Sequence, residues 1–558
     1  GTILSHSGEL RTADVDITVP SPRMPIAITR VIGNQDTYEG PFGVGWDFNY
    51  NQRLTVLDPL TFPAGLQMPL VVRDEAENSE IAGSQDVLFN DGQGRVFHFV
   101  WKGTNMPPEY AADPLVQEFE YEGRVSDYYL PQRGLFNLLV KFKDGRFERL
   151  TPSGMRYRYT ETGRLETVID TFPANRHDLQ YDRNGWLVRI DDRSVEAPRF
   201  VELGHYRRRD SDPDFVPGLD EVTSNSYLEG LICRLRDYTG RDVLFEYDAA
   251  GFLIKRLDVE VSGANGGFSG RAETHYDYVN CRLATIKASA DGTPYVSAVN
   301  ATSSTGEPVA QATSGNYGNA DISIDVENSA KTVATQSSGV RLGDDSQVQR
   351  SFDNRGHVKS TTISGGGGPA VTEVRSNSVD GLLLYIMHPE GNSERREYDS
   401  GNPIFRSRAN LKRITVDPGP RGGEGYSLTY NHDPRYNLES GPQVNANGFT
   451  INIRLRSDGR APEVTDFGGG FRRTVLYNDR GQVVRTVDEK GVEHTIAHDS
   501  STGFMRSRTV GDITYTMGYD GSIAAKLGRP TRISQPLGAP TLTTYDERTL
   551  PVGISRGE

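Results

Sequence analysis

The sequence predicts an all-β protein built from antiparallel β-hairpin repeats. Three observations carry that expectation. One phrase recurs: Tyr181-Asp182-Arg183-Asn184-Gly185-Trp186-Leu187 returns as Tyr247 to Leu253, Phe352 to Val358 and Tyr477 to Val483. Tyr159 to Leu165 keeps all of it except the acid. The spacing is regular, with 22 residues from Tyr159 to Tyr181 and 66, three times as many, from Tyr181 to Tyr247. Finally, 60 Gly and 30 Pro punctuate the chain too often for a long amphipathic helix.

Each position of the phrase has a physical role. Asp182, Asp248, Asp353 and Asn478 stand at the first corner of a type I turn, where a short polar side chain bonds its own backbone. Gly163, Gly185, Gly251, Gly356 and Gly481 stand at the fourth corner, which needs a positive φ. Tyr159, Tyr181, Tyr247, Phe352 and Tyr477 precede the turn and an aliphatic residue follows it, so the two can meet across strands. Each phrase is thus a hairpin tip. A lone hairpin is marginal in water, so many copies imply units that stack on one another.

Composition fits a thin-walled body. Apolar residues are 35 % of 558. With Gly counted and Tyr set aside the figure is roughly 41 %, under the usual ~45–50 %. The net charge of −14 argues against general nucleic-acid binding and against docking on anionic membranes. Only ten of the 61 basic residues are Lys; either Arg suits sheets rich in Tyr and Asp, because it stacks on rings and forks onto carboxylates, or GC-rich codon usage accounts for the bias. Cys233 and Cys281 are expected as two buried free thiols, with a disulfide as the alternative. No apolar run reaches the ~18 residues of a membrane span, and no signal peptide is read.

Residues 1–52 read as a leader distinct from the repeats. Val15 to Val19 and Ile26 to Val31 are strand-like. Gly40-Pro41-Phe42-Gly43-Val44-Gly45-Trp46 then suggests a tight backbone path under large rings. That phrase ahead of Tyr-Asp-x-x-Gly-x-Leu repeats resembles the Rhs/YD-repeat family, in particular the short domain preceding the repeats in bacterial Rhs and wall-associated polymorphic toxins. More distantly it is similar to teneurin-like shells. Tyr430 to Asn437 resembles a landmark inside Rhs shells.

The remaining organisation follows from the pattern. Residues 53–135 are irregular β, with Pro107-Pro108 and Pro114 marking a loop. Residues 136–300 are a first repeat block. Residues 301–347, poor in aromatics, are an insertion or thin strands. Residues 348–558 are a second block. Arg207-Arg208-Arg209 beside Asp210, Asp212 and Asp214 reads as a solvated, self-neutralising loop.

No catalytic constellation stands out. There is no HExxH, GxSxG, Walker A or GxGxxG, and no cofactor or metal is expected. His494 and His498 share a strand face, which alternation explains by itself. The resemblance implies one chemistry, cleavage at a C-terminal Asp-Pro-aliphatic-Gly-Leu motif. Asp58, Asp113, Asp212, Asp417 and Asp433 precede prolines, but none in that motif. The resemblance therefore implies a non-catalytic, spirally coiled shell, secreted or at the cell surface and of bacterial origin. Its partner would be an enclosed toxin or effector polypeptide, or further segments of the same protein; secretion machinery or a surface glycan are further partners. The alternative is an adhesion protein that binds a glycan or receptor through loops such as 207–220 and 300–347.

Overall fold

A computed structural model of the chain describes residues 2–3, 10–33, 38–57, 85–262, 269–289, 296–302, 308–313, 320–327, 330–337, 346–353, 357–365, 368–420, 422–444 and 449–557. Between 296 and 349 the description is of the backbone. The fold is all-β, and the described residues form two long, essentially antiparallel sheets, one four-stranded sheet and two two-stranded ribbons, Glu39–Gly40 with Gly43–Val44 and Val261–Ser262 with Ser269–Gly270.

The four-stranded sheet belongs to the leader. It pairs Thr2–Ile3, Leu10–Val19, Ile26–Gly33 and Trp46–Phe48 in that order. Along Ile26–Gly33, alternate residues Ile26, Ile28, Arg30 and Ile32 are buried. Alternation thus puts an arginine at a core position between isoleucines.

The first long sheet has 19 strands, from Arg53–Val56 to Pro308–Thr313. It curls round and closes. Its opening strand lies against the tip of a later hairpin, where Arg53 bridges Arg164 and the Leu54 N–H donates to the Gly163 carbonyl at 2.8 Å. The leader sits inside this coil. Ile17, Val19, Ile28, Phe42, Trp46 and Phe48 form one buried cluster with Phe99, Leu139, Phe147, Ile190, Val201, Leu235, Phe245 and Tyr276 of the sheet. Burial of this size is the main driving force for the coil.

The second long sheet has 20 strands, from Ala320–Glu327 to Pro551–Arg556. It winds over the first in the same direction. Asp113, Pro152, Asn175, Arg199, Tyr238 and Ser262 meet Arg406, Asn437, Arg480, Thr502, Lys526 and Glu547 in that order. The partners are 285 to 305 positions apart. A near-constant offset between ordered contacts is what a spiral produces, and it sets one coil at about that many residues. At the corner near Arg406 and Arg460 the offsets spread from 254 to 342.

The two coils differ inside. Following the register across the second sheet, one face carries Ile386, Ile414, Val416, Leu428, Ile451, Ile453, Val475 and Ile496, interspersed with Glu394, Arg396, Thr465, Arg473, Thr486 and His494. The opposite face carries Arg395, Thr415, Asp417, Asn452, Arg485 and Thr495, all exposed. None of the eight apolar residues is fully buried. The alternation needed for a one-sided sheet is present, yet nothing of the described chain fills the space it faces.

Two expectations are corrected. The proline-marked loop folds instead into two short helices, Pro108–Ala111 and Pro114–Glu118. Proline is tolerated at the first helical position because that N–H has no partner in the helix, and Asp113 caps the second helix by accepting from the Leu115 N–H at 2.9 Å. Cys233 is buried but Cys281 is exposed, at a turn with φ +62°; both are free thiols.

Candidate functional site

The repeat phrase forms the same tip each time. At Asp182, the Gly185 N–H donates to the Asp182 carbonyl at 2.9 Å and the Trp186 N–H to its Oδ1 at 2.9 Å. Asp248 accepts likewise from Gly251 (3.2 Å) and Phe252 (2.9 Å), and Asn478 from Gly481 and Gln482 (both 3.0 Å). Thr160 replaces the acid in the earliest copy, its hydroxyl accepting from the Arg164 N–H at 3.1 Å while Gly163 donates to its carbonyl. Asp353 accepts from the His357 N–H at 2.9 Å; Gly356 lies outside the described residues. Tyr159 pairs with Leu165, Tyr181 with Leu187, Tyr247 with Leu253, Phe352 with Val358 and Tyr477 with Val483, each beside a bulge.

The tyrosine hydroxyls carry a role that the phrase alone does not reveal. Tyr181 donates to the Leu165 carbonyl at 2.7 Å, Tyr247 to Ile232 at 2.7 Å and Tyr278 to Leu253 at 3.0 Å. In the second coil Tyr398 donates to Leu383, Tyr519 to Met505 and Tyr545 to Pro530, at 2.9–3.1 Å. Each bond reaches back 14 to 25 residues to the preceding hairpin. The preference for Tyr over Phe in the phrase is the sequence signal for it.

The leader phrase closes the free end of the first coil. Gly40, Gly43 and Gly45 bring the backbone under Phe42 and Trp46, both fully buried. A Cβ on Gly43 would stand 2.4 Å from the Gly251 carbonyl, so only glycine lets the leader meet that tip. The Pro41 carbonyl accepts from the Ile232 N–H at 2.8 Å. The Trp46 indole N–H donates to the Tyr278 hydroxyl at 2.9 Å, and Phe42 meets Phe245 edge-on at 4.9 Å.

Arg30 lies at the centre of this plug. Its Nε and Nη2 donate to Asp16 at 2.9 and 3.1 Å, and Nη2 also to the Tyr276 hydroxyl at 3.1 Å. Its guanidinium lies 4.2 Å from the Trp46 ring centroid. Arg256 of the sheet reaches the same carboxylate at 2.7 Å. Burial works against the charge of Arg30, and Asp16 and Tyr276 outweigh it, holding its pKa well above the usual value. The network thus joins leader to coil through charges that a dry site makes costly to separate.

A second buried pair joins the two coils. Arg406 donates to both oxygens of Asp113, at 2.6 and 2.7 Å, with both side chains fully buried. It also donates to the carbonyls of Pro152 and Arg435. Tyr436 packs with Tyr110, Leu115 and Val116, and Asn437 donates to the Pro152 carbonyl at 2.8 Å. The stretch 430–437 is therefore the clasp between coils.

The remaining polar candidates have structural partners. Asp433 accepts from the Arg435 and Tyr436 N–H groups, Asp417 from Gly419 and Asp212 from Asp214; Asp58 lies outside the described residues. Arg207 is not solvated as expected, but buried between Asp182 and Asp220 at 2.8 Å each. His494 bonds Arg508 and His498 faces the Val483 carbonyl. Burial pushes the Cys233 thiol up to about 12, which leaves it protonated and unreactive near neutrality. Among the described residues no three His, Cys, Asp or Glu side chains converge on a metal-sized site, and no helix is long and apolar enough to cross a membrane.

A family model described as a domain of unknown function, DUF6531, matches residues 3–99. No curated protein matches. Among solved structures, the chain is similar to TcdB2-TccC3-TEV, with 10 % identity and a TM-score of 0.46 over 88 % of this chain and 25 % of that one. It is similar to a chain of the Photorhabdus luminescens Tc holotoxin pore, with 12 % identity and a TM-score of 0.46 over 95 % and 24 %. It also matches TcdB2-TccC3, with 11 % identity and a TM-score of 0.43 over 98 % and 25 %. The chain spans about a quarter of the length of these matched chains.

Proposed function

We propose that this chain is a non-catalytic β-shell of a secreted or surface Rhs/YD-repeat protein, and that its second coil encloses a toxin or effector polypeptide. The observation that carries the reading is the contrast between the two interiors. The first coil buries the leader against its apolar face. The second presents apolar residues that are only partly buried along the ten strands from Leu383–Met387 to Glu493–His498. Apolar surface of that extent marks a site of contact with another polypeptide. The carboxylates of the repeat tips serve backbone amides and arginines, which favours a container over an enzyme.

The test is cryo-electron microscopy of the protein isolated from its own cells with whatever copurifies. Enclosure predicts polypeptide density against Ile414, Val416, Ile453 and Val475, protected from protease in the intact particle. A water-filled second coil, with every accompanying segment cut by protease at once, would overturn the reading.

A further inference from the structure

A cavity of about 420 Å³ opens where the leader loop meets the hairpin tips at the free end of the first coil. It is separate from the second-coil face, and its occupation does not depend on enclosure. Tyr181, Trp186 and Tyr227 line it, together with Arg164, Glu39 and Glu229. Its volume falls in the ~300–1,000 Å³ range of small-molecule sites.

Its rings are held in place. The Trp186 indole rests on Gly230, where a Cβ would stand 2.9 Å from the ring, and stacks on buried His205 at 5.4 Å between centroids. Tyr181 is fixed through its hydroxyl to the Leu165 carbonyl. Tyr227, by contrast, is 72 % exposed, the most exposed ring among the described residues of the first coil. Arg164 is exposed, and its guanidinium lies over the Gly185 turn, 5.9 Å from the Tyr181 ring centroid. Among the described residues it forms no ion pair, unlike Arg208 nearby, which is bound to Glu229.

We propose that this cavity binds a sugar bearing a carboxylate. A pyranose offers an apolar C–H face and a polar rim. Fixed aromatic rings take the face, exposed carboxylates such as Glu39 accept from hydroxyls, and the unpaired guanidinium forks onto the carboxylate. A polyphosphate or nucleic acid is disfavoured, because the two guanidinia at the cavity, Arg164 and an Arg53 already held by Asp47 and the Tyr38 hydroxyl, stand beside two acids on a chain of net charge −14. The position differs from the loops 207–220 and 300–347, where the alternative adhesion reading of the sequence places binding.

The experiment is isothermal titration and saturation-transfer NMR on the whole 558-residue chain, with glucuronic acid, N-acetylneuraminic acid and neutral glucose as probes. Saturable binding of at least one acidic sugar is expected, about tenfold tighter than glucose, as one charge-assisted contact allows. Trp186→Ala should abolish it. Arg164→Gln, at an exposed site where folding is not at stake, should leave weak binding without the acid preference. No saturable binding of either acid, equal affinity for glucose, or wild-type binding by Arg164→Gln would each overturn the proposal.

Discussion

The two coils are made from the same phrase, yet they are stabilised differently. The first coil is wound round a leader that supplies Phe42, Trp46 and Phe48 to its interior, and its inward residues are dry. The second is wound on the rim of the first, and its described inward apolar residues, such as Ile414, Ile453 and Ile496, are only partly buried. Among the described residues its fully buried apolar side chains are Ile404, Tyr436, Ala461, Val464, Ala524, Ala525 and Leu527. Several of these lie at or near the seam, as Tyr436 shows by packing on Tyr110 and Leu115. A repeat can therefore supply a wall, but a filled core needs something foreign to the repeat.

That contrast can be broken most strongly at the seam. Arg406→Ala leaves Asp113 buried and unpaired, which should cost about 3–5 kcal/mol and release the second coil while the first stays folded. Urea unfolding should then show two separated transitions, and protease should cut between the coils first. A single unshifted transition would mean that the clasp does not hold them. Trp46→Ala attacks the other side of the comparison. It should destabilise the first coil by about 3–5 kcal/mol, whereas Ile496→Ala in the half-exposed second coil should cost only about 1 kcal/mol. Equal costs would show that both interiors are equally filled.

Smaller effects sharpen it. Tyr247→Phe removes one buried hydrogen bond between neighbouring hairpins and leaves the Ile232 carbonyl unpaired. The expected loss is about 1 kcal/mol in chemical denaturation. Tyr545→Phe, near the last edge of the second coil, should lose less, because water can replace the hydroxyl at the Pro530 carbonyl.

The mildest probe is pH. His177 is buried, facing the Tyr50 hydroxyl and the Met24 carbonyl, and burial pushes its pKa below the ordinary value near 6.5. The folded form thus stays neutral where the unfolded chain takes up a proton. Its contribution is fully present above about pH 6.5 and declines as pH falls toward the folded pKa. Thermal melts of the first coil should fall between pH 7 and 5, and His177→Gln should flatten that slope. An unchanged slope would show that the imidazole is protonated in both states.

The hairpin tips were legible because turn chemistry is local. An acid or amide, two free positions and a glycine dictate Asp182–Gly185 without help from elsewhere, and the bulge that brings Tyr181 opposite Leu187 follows. The helices at Pro108 and Pro114 were not legible, since proline marks a loop and a first helical turn equally well. Arg207 was read as solvated because its neighbours in sequence are charged, while its partner Asp182 comes from a tip 25 residues earlier. Arg30 gave no signal at all, because its reason is Asp16 on the next strand and Trp46 beyond the turn.

By itself the sequence determined the unit: a strand pair, its turn, and which residue faces which across it. These follow from backbone conformation and contacts within a few residues. Only the tertiary structure decided the pitch near 290 residues, the leader as the filling of the first coil, and the Arg406–Asp113 clasp. Each depends on groups that meet only after hundreds of residues have wound round, and no local pattern encodes a partner at that distance.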